Sequence, residues 1–161
     1  MFYPQFLKDN DVIGICAPSA GVGHKIDSFQ KSLAVLKSSG FKIWETEHVR
    51  VNGLRGGTAA ERAEELMSLF ALPSVSGVFC ATGGDFLSEI LPLIDWSILY
   101  ENPKWLIGYS DPTNLLFPLT LMGDVATIYG HNAGSFDSIV LEDGKEVLPD
   151  YLQCAIRILK G

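Results

Sequence analysis

At 161 residues, with 47% hydrophobic and 19% charged side chains, the chain can bury one full hydrophobic core and has the balance of an ordinary globular domain. Its formal net charge of −7 argues against a nucleic-acid backbone or an anionic membrane as partner, since both demand a basic surface. No apolar run reaches the roughly 20 residues of a membrane span, and the opening Met1-Phe2-Tyr3-Pro4 lacks the basic-then-apolar order of a secretory signal.

In chain order, short apolar runs alternate with helical patterns. Val12 to Ala17 reads as a buried strand. After a Gly-containing loop, Asp27 and Gln30 have the spacing of a capping box, with Phe29, Leu33 and Leu36 on one helical face and Gly40 as the stop. Phe41 to Trp44 is a second strand, and a loop with three glycines runs from Val51 to Gly57. Thr58 with Glu61 forms another capping box, ahead of a face made by Leu66, Leu69 and Phe70. Val75 to Ala81 is the third strand, Phe86 to Leu93 a short helix, and Trp105 to Tyr109 the fourth strand. Pro112 suits a first helical turn, so Thr113 to Met122 continues as helix. Val125 to Tyr129 is the fifth strand and Pro149 to Lys160 the last helix. Alternation of this kind predicts β-α-β units in a doubly wound, mainly parallel sheet with helices on both faces. Ligands of such sheets bind at the carboxyl ends of the strands, so the informative residues should follow strands.

The strongest candidate is Gly108-Tyr109-Ser110-Asp111-Pro112. An apolar strand ends at a serine and a helix begins at once, which is the setting of a nucleophile elbow. Such a turn exposes the Ser110 hydroxyl and aims the Asp111 N–H at a developing oxyanion. The competing reading is that Ser110 only caps the helix, because the usual second glycine is absent. Ala81-Thr82-Gly83-Gly84-Asp85 follows the third strand, and its glycines let backbone N–H groups approach an anion, or make a tight turn and nothing more. No Gly-Lys-Ser/Thr follows, so it is not a nucleotide-phosphate loop.

Cys16, Cys80 and Cys154 are dispersed and each stands in an apolar context, so buried inert thiols in a reducing, cytoplasmic compartment are expected. Among His24, His48 and His131, only His131 follows a strand and could approach Ser110; Asp111 or Asp124 would then have to orient it, and Asp111 adjoins the nucleophile too closely to do so. A loop histidine without a catalytic role is the default. No His/Cys cluster has metal-binding spacing, so no metal and no cofactor is expected.

Together these motifs resemble the LD-carboxypeptidase family, which includes muramoyltetrapeptide carboxypeptidases and microcin C self-immunity proteins. Ile15-Cys16-Ala17-Pro18-Ser19 matches its apolar-Ala-Pro-Ser, and Gly57-Thr58 through Arg62 to Leu66 its Gly-Thr-x-x-x-Arg-x-x-Asp-Leu. Thr82-Gly83-Gly84 stands at its Gly-Gly loop, and Asn102-Pro103-Lys104 through Gly108-Tyr109-Ser110-Asp111 at its most specific motif. The resemblance implies a fold of the class I glutamine amidotransferase-like or flavodoxin-like kind. It also implies Ser110 as nucleophile, with an oxyanion hole from the Asp111 N–H and the Gly83-Gly84 loop.

By the same resemblance, residues 1–161 form an N-terminal nucleophile domain, and a Glu and a His come from a C-terminal domain absent from this chain. The isolated domain is then expected to be close to inactive. The implied substrate is a murein peptide ending in a D-amino acid, or a peptidyl- or aminoacyl-nucleotide; a homodimer is admissible, and a non-catalytic ligand-binding domain remains the alternative from another class. Asp85 stands where relatives often carry Tyr, and His131 does not map onto the family's catalytic histidine.

Overall fold

The computed structural model describes residues 1–143 and 145–161. Five strands form one parallel sheet: β1 (Val12–Cys16), β2 (Lys42–Glu45), β3 (Val75–Cys80), β4 (Trp105–Gly108) and β5 (Ile128–Tyr129), in the order β2-β1-β3-β4-β5. This is the doubly wound order of flavodoxin-like sheets, with its switch point between β1 and β3. The α/β architecture expected from the alternation is therefore present.

The central strands β1, β3 and β4 are buried on both faces, and different helices cover the two faces. Ile13, Ile15, Phe79, Trp105 and Ile107 pack with Phe29, Leu33 and Leu36 of α1 (Ile26–Ser38) and with Leu152 and Leu159 of α5 (Asp150–Lys160). Cys16, Val78, Cys80 and Leu106 pack with α2 (Ala59–Ala71), α3 (Trp96–Glu101) and α4 (Thr113–Gly123) through Leu66, Leu99 and Leu115.

The Thr58–Glu61 capping box forms as read: Glu61 N donates to Thr58 Oγ1 at 3.2 Å, and Thr58 N donates to Glu61 Oε2 at 2.8 Å. A cap of this kind is worth about 1 kcal/mol. At the other end of α2, Lys104 Nζ donates to the Leu69 carbonyl at 2.9 Å and also to that of Leu72. Carbonyls at a helix C-terminus lack intrahelical donors, so this lysine fills their need. Burial pushes its amine down to about 8.

Elsewhere the structure departs from expectation. The Asp27–Gln30 box is not used: a 3-10 turn at Gly23–Lys25 runs straight into α1, whose first residue is Ile26, and Lys25 at the cap makes no side-chain bond. Asp27 lies inside the first turn, where its charge still suits the helix dipole. The short helix over Phe86 to Leu93 is a 3-10 helix, Leu87–Leu93, with Pro92 inside it. α3 was not anticipated; Asp95 caps it through the Ser97 N–H at 3.0 Å. The fifth strand shrinks to two residues because the N-terminal segment claims its start. Ala126 N donates to the Phe2 carbonyl at 2.8 Å and Phe2 N to the Asp124 carbonyl at 2.6 Å. A small antiparallel hairpin, β6 (Val140–Glu142) and β7 (Lys145–Val147), stands apart from the main sheet.

Candidate active site

Sheet order brings the loops after β1, β3, β4 and β5 to one edge. Ser110 is exposed between β4 and α4, with φ 67. A non-glycine residue in this left-handed region costs about 1–2 kcal/mol, and such strain persists only where surrounding contacts impose it. Those contacts are identifiable. Tyr109 leaves the ladder and donates its N–H to Asn132 Oδ1 at 3.1 Å, while Asn132 Nδ2 reaches back to the Tyr109 carbonyl at 3.4 Å. Asn132 is only 3% exposed, so its amide is committed to gripping the elbow. On the far side, Thr113 N and Oγ1 both donate to the Ser110 carbonyl, at 2.9 and 2.6 Å. A Cβ on Gly108 would fall 2.8 Å from Pro112 and 3.1 Å from both Asn132 and Cys80, so the tight turn needs glycine there.

The glycine loop meets the elbow. A Cβ on Gly83 would lie 3.3 Å from Ser110 Cβ and 3.5 Å from Ser110 Oγ. Among the described residues no partner takes the N–H of Gly83, Gly84 or Asp111, and none binds Ser110 Oγ. An exposed hydroxyl thus sits beside unclaimed backbone donors. Gly84 is pressed against the first loop, where a Cβ would come within 2.3 Å of Ser19 Oγ.

The Asp111 carboxylate locks these loops together. Its Oδ2 accepts from Ser19 Oγ and, at 3.0 Å, from Leu87 N; its Oδ1 accepts from Asn114 Nδ2 at 2.9 Å. Ser19 itself is fully buried. Behind them lies Arg62, 0% exposed, whose Nη1 donates to the carbonyls of Pro18 at 2.9 Å and Phe86 at 3.0 Å. Its Nη2 pairs with Glu89 Oε2 at 2.6 Å, and Arg55 grips the same carboxylate while lying over the Phe86 ring. One guanidinium therefore fixes the residues just before Ser19 and just before Leu87, both of which bind Asp111.

Glu89 carries the pH signature of this network. The hydrogen bond from Arg55, then that from Arg62, hold its carboxyl down to about 2. A depressed carboxyl adds stability above its unfolded value, near 4.3, and loses it as pH falls through the folded value. Glu89→Gln should therefore flatten the drop in urea midpoint between about pH 5 and about pH 2 relative to the wild type. An unchanged drop would show that Glu89 does not drive acid sensitivity.

His131 takes the non-catalytic place that was its default reading. His131, the candidate partner of Ser110, packs its ring against Phe136 at 5.8 Å and Tyr151 at 5.4 Å, in the next hollow along. It is His24 that lines the cleft of Ser110, because the segment after Ser19 curls back and is pinned by Val22 N to the Val49 carbonyl at 2.9 Å. Such a return of the chain leaves no mark in local sequence pattern. His48 is engaged elsewhere, its Nδ1 2.7 Å from Glu65 Oε1, and that bond raises its pKa. Cys16 and Cys80 are buried as anticipated, and burial pushes the Cys80 thiol up to about 12. Cys154 is exposed, contrary to expectation, because α5 turns Leu152 and Leu159 inward instead. Asp85 is exposed beyond the glycine pair. Among the described residues no group of His, Cys, Asp or Glu has the geometry of a metal site, and no helix is long and apolar enough to cross a membrane.

Residues 13–130 match the family model of the LD-carboxypeptidase N-terminal domain, peptidase family S66. The chain belongs to this family. It is 32% identical over 126 residues to the microcin C7 self-immunity protein MccF of Escherichia coli, covering 77% of this chain and 37% of that protein. It is 30% identical over 106 residues to the murein tetrapeptide carboxypeptidase of Pseudomonas aeruginosa, covering 65% of this chain and 34% of the relative. Its fold superposes along 100% of its length on MccF bound to aspartyl sulfamoyl adenosine, with TM-score 0.88 and 27% identity, over 48% of that chain. The chain thus spans under half the length of the relatives it matches.

Proposed function

We propose that this chain is the nucleophile-bearing half of a serine-type LD-carboxypeptidase, an enzyme that releases a terminal D-amino acid from murein peptides in the cytoplasm. The observation that carries this reading is Ser110, held at positive φ with its hydroxyl exposed beside the unclaimed N–H groups of Asp111 and the Gly83-Gly84 loop. A helix cap has no need of that strain, and a cap would spend its oxygen on the helix it caps.

In the proposed reaction, Ser110 Oγ attacks the scissile carbonyl and a general base takes its proton. The carbonyl oxygen becomes an oxyanion held by the N–H groups of Asp111 and Gly83, each worth roughly 3–4 kcal/mol in the transition state. The amide C–N bond breaks, the leaving amine takes the proton back from the base, and water then hydrolyses the acyl-serine. By the family resemblance, the base and the acid that orients it belong to a C-terminal domain, and both are assigned to residues outside 1–161. A hydroxyl without a base is a weak nucleophile at neutral pH, so residues 1–161 alone should turn over little or nothing.

The test compares full-length protein with residues 1–161 on an LD-tetrapeptide, scoring release of the terminal D-amino acid. Release by the full-length protein alone supports the reading. Robust turnover by residues 1–161 would place the whole machinery in this half, and none by either would remove the assignment. A second reading, hydrolysis of a peptidyl- or aminoacyl-nucleotide, is favoured by the superposition on MccF with its sulfamoyl adenosine ligand; an aminoacyl sulfamoyl adenosine as competitor in the same assay separates the two.

A further inference from the structure

The chain carries 19 acidic side chains against 12 basic ones, yet among the described residues no carboxylate lines the cleft that holds Ser110. The basic side chains at its wall are His24 and Lys25, and Tyr109, Gly83, Ser110, Val22 and Phe29 line the same cleft. Two carboxylates next in sequence to the lining residues are turned to other work: that of Asp111, beside Ser110, accepts from Ser19, Leu87 and Asn114, and that of Asp137, two residues past Ser135, accepts from Ser28.

The two side chains stand on a fixed base. The turn Gly23–Lys25 is held by Gly23 N to the Val51 carbonyl at 3.0 Å and Lys25 N to the Val22 carbonyl at 2.8 Å. A Cβ on Gly23 would come within 2.7 Å of Arg50 and Asn52 backbone, so the turn lies flat against the next loop. Both side chains are exposed, and among the described residues neither makes a hydrogen bond or an ion pair. The Lys25 ammonium and the His24 imidazole, unpaired on a rigid turn inside the nucleophile's cleft of a strongly acidic protein, provide a place for a negative charge. Electrostatics of this kind concentrates an anionic substrate and rejects its neutral analogue.

Building on the proposed hydrolase, we infer that His24 and Lys25 form an anion subsite beside Ser110 and select substrates whose leaving group is negatively charged. A peptide's terminal carboxylate and an acyl phosphate or sulfamate share this chemistry. The two residues are specificity-determining; neither enters the bond-making steps.

The test uses the full-length protein carrying Ser110→Ala, so that bound substrate persists. Dissociation constants are measured by calorimetry for Nα-acetyl-L-lysyl-D-alanine, for its C-terminal amide, and for an aminoacyl sulfamoyl adenosine. At least one anionic probe should bind about 10- to 100-fold more tightly than the neutral amide, as a charge-assisted hydrogen bond implies. Adding Lys25→Ala should collapse that ratio toward one, Lys25→Arg should keep most of it, and His24→Ala should lower it in part. Tighter binding of the dipeptide assigns the subsite to a carboxylate, and tighter binding of the sulfamate assigns it to a nucleotide-linked acid. A ratio that survives Lys25→Ala, or no binding of either anion, overturns the inference. Failure of the hydrolase reading looks different: the protein with Ser110 intact would cleave neither compound, yet the Lys25-dependent ratio would remain.

Discussion

On the proposed LD-carboxypeptidase reading, exchanging Ser110 for alanine in the full-length protein should lower kcat for LD-peptide hydrolysis by about 10⁴- to 10⁶-fold, the range seen when a nucleophile that acts as part of a unit is removed. Affinity for the uncleaved peptide should change little, because the hydroxyl contributes to bond formation more than to ground-state binding. Stability supplies an independent check on the elbow. With φ 67 at Ser110, glycine fits the turn without the left-handed penalty. Ser110→Gly should therefore be more stable than Ser110→Ala by up to about 1 kcal/mol, while both are inactive. Two inactive variants that differ in urea midpoint in this direction would show that the turn is strained for the sake of the hydroxyl. A glycine variant less stable than the alanine one would remove the strain argument, and retained hydrolysis in either would remove Ser110 as nucleophile.

The second large effect concerns Arg62. Truncation to leucine would strand the carbonyls of Pro18 and Phe86 and remove a partner of Glu89, all bound through one buried guanidinium. Glu89 keeps Arg55, and each carbonyl left without its donor costs about 1–3 kcal/mol, so the loss is several kcal/mol in all. For a domain of this size that lowers Tm by roughly 10 °C. Arg62→Lys should recover little, since an ammonium cannot present the flat fork that reaches two carbonyls and a carboxylate at once. Thermal unfolding of the two variants checks this. A shift of only a degree or two in Arg62→Leu would mean that the loops around Ser19 and Leu87 are held by Asp111 without help from behind. The same substitution should also loosen the glycine loop, which touches Ser19 through Gly84.

Much of this was legible in the residues. Strand–helix alternation gave the parallel sheet because runs such as Val12 to Ala17 and Trp105 to Tyr109 are apolar on both sides and the intervening segments have helical spacing. Thr58 and Glu61 formed their box because the reciprocal bonds are local and need nothing from the rest of the fold. Asp27 and Gln30 had the same spacing and did not, since a preceding 3-10 turn had already started the helix. The Ser110 turn was readable because strand, serine and helix start are contiguous.

What sequence pattern could not show is long-range. Asn132 grips an elbow 23 residues away, and Arg62 reaches a carbonyl 44 residues away. Both contacts depend on how loops fold over the sheet edge, which periodicity does not encode. His24 was overlooked for the same reason, whereas His131 attracted notice by following a strand and then packed against Phe136 and Tyr151 instead.

The distribution of thiols gives the chain a ready-made spectroscopic handle. Cys16 and Cys80 face each other across adjacent strands in the interior, and burial keeps both overwhelmingly protonated near neutral pH. A maleimide dye would therefore find Cys154, the exposed one, without any engineering. Cys154 borders an apolar hollow shared by Tyr129, His131 and Tyr151, one step along the sheet edge from Ser110. An environment-sensitive fluorophore there would change its emission when anything settles on that face, so the native sequence already contains the attachment point for a docking sensor.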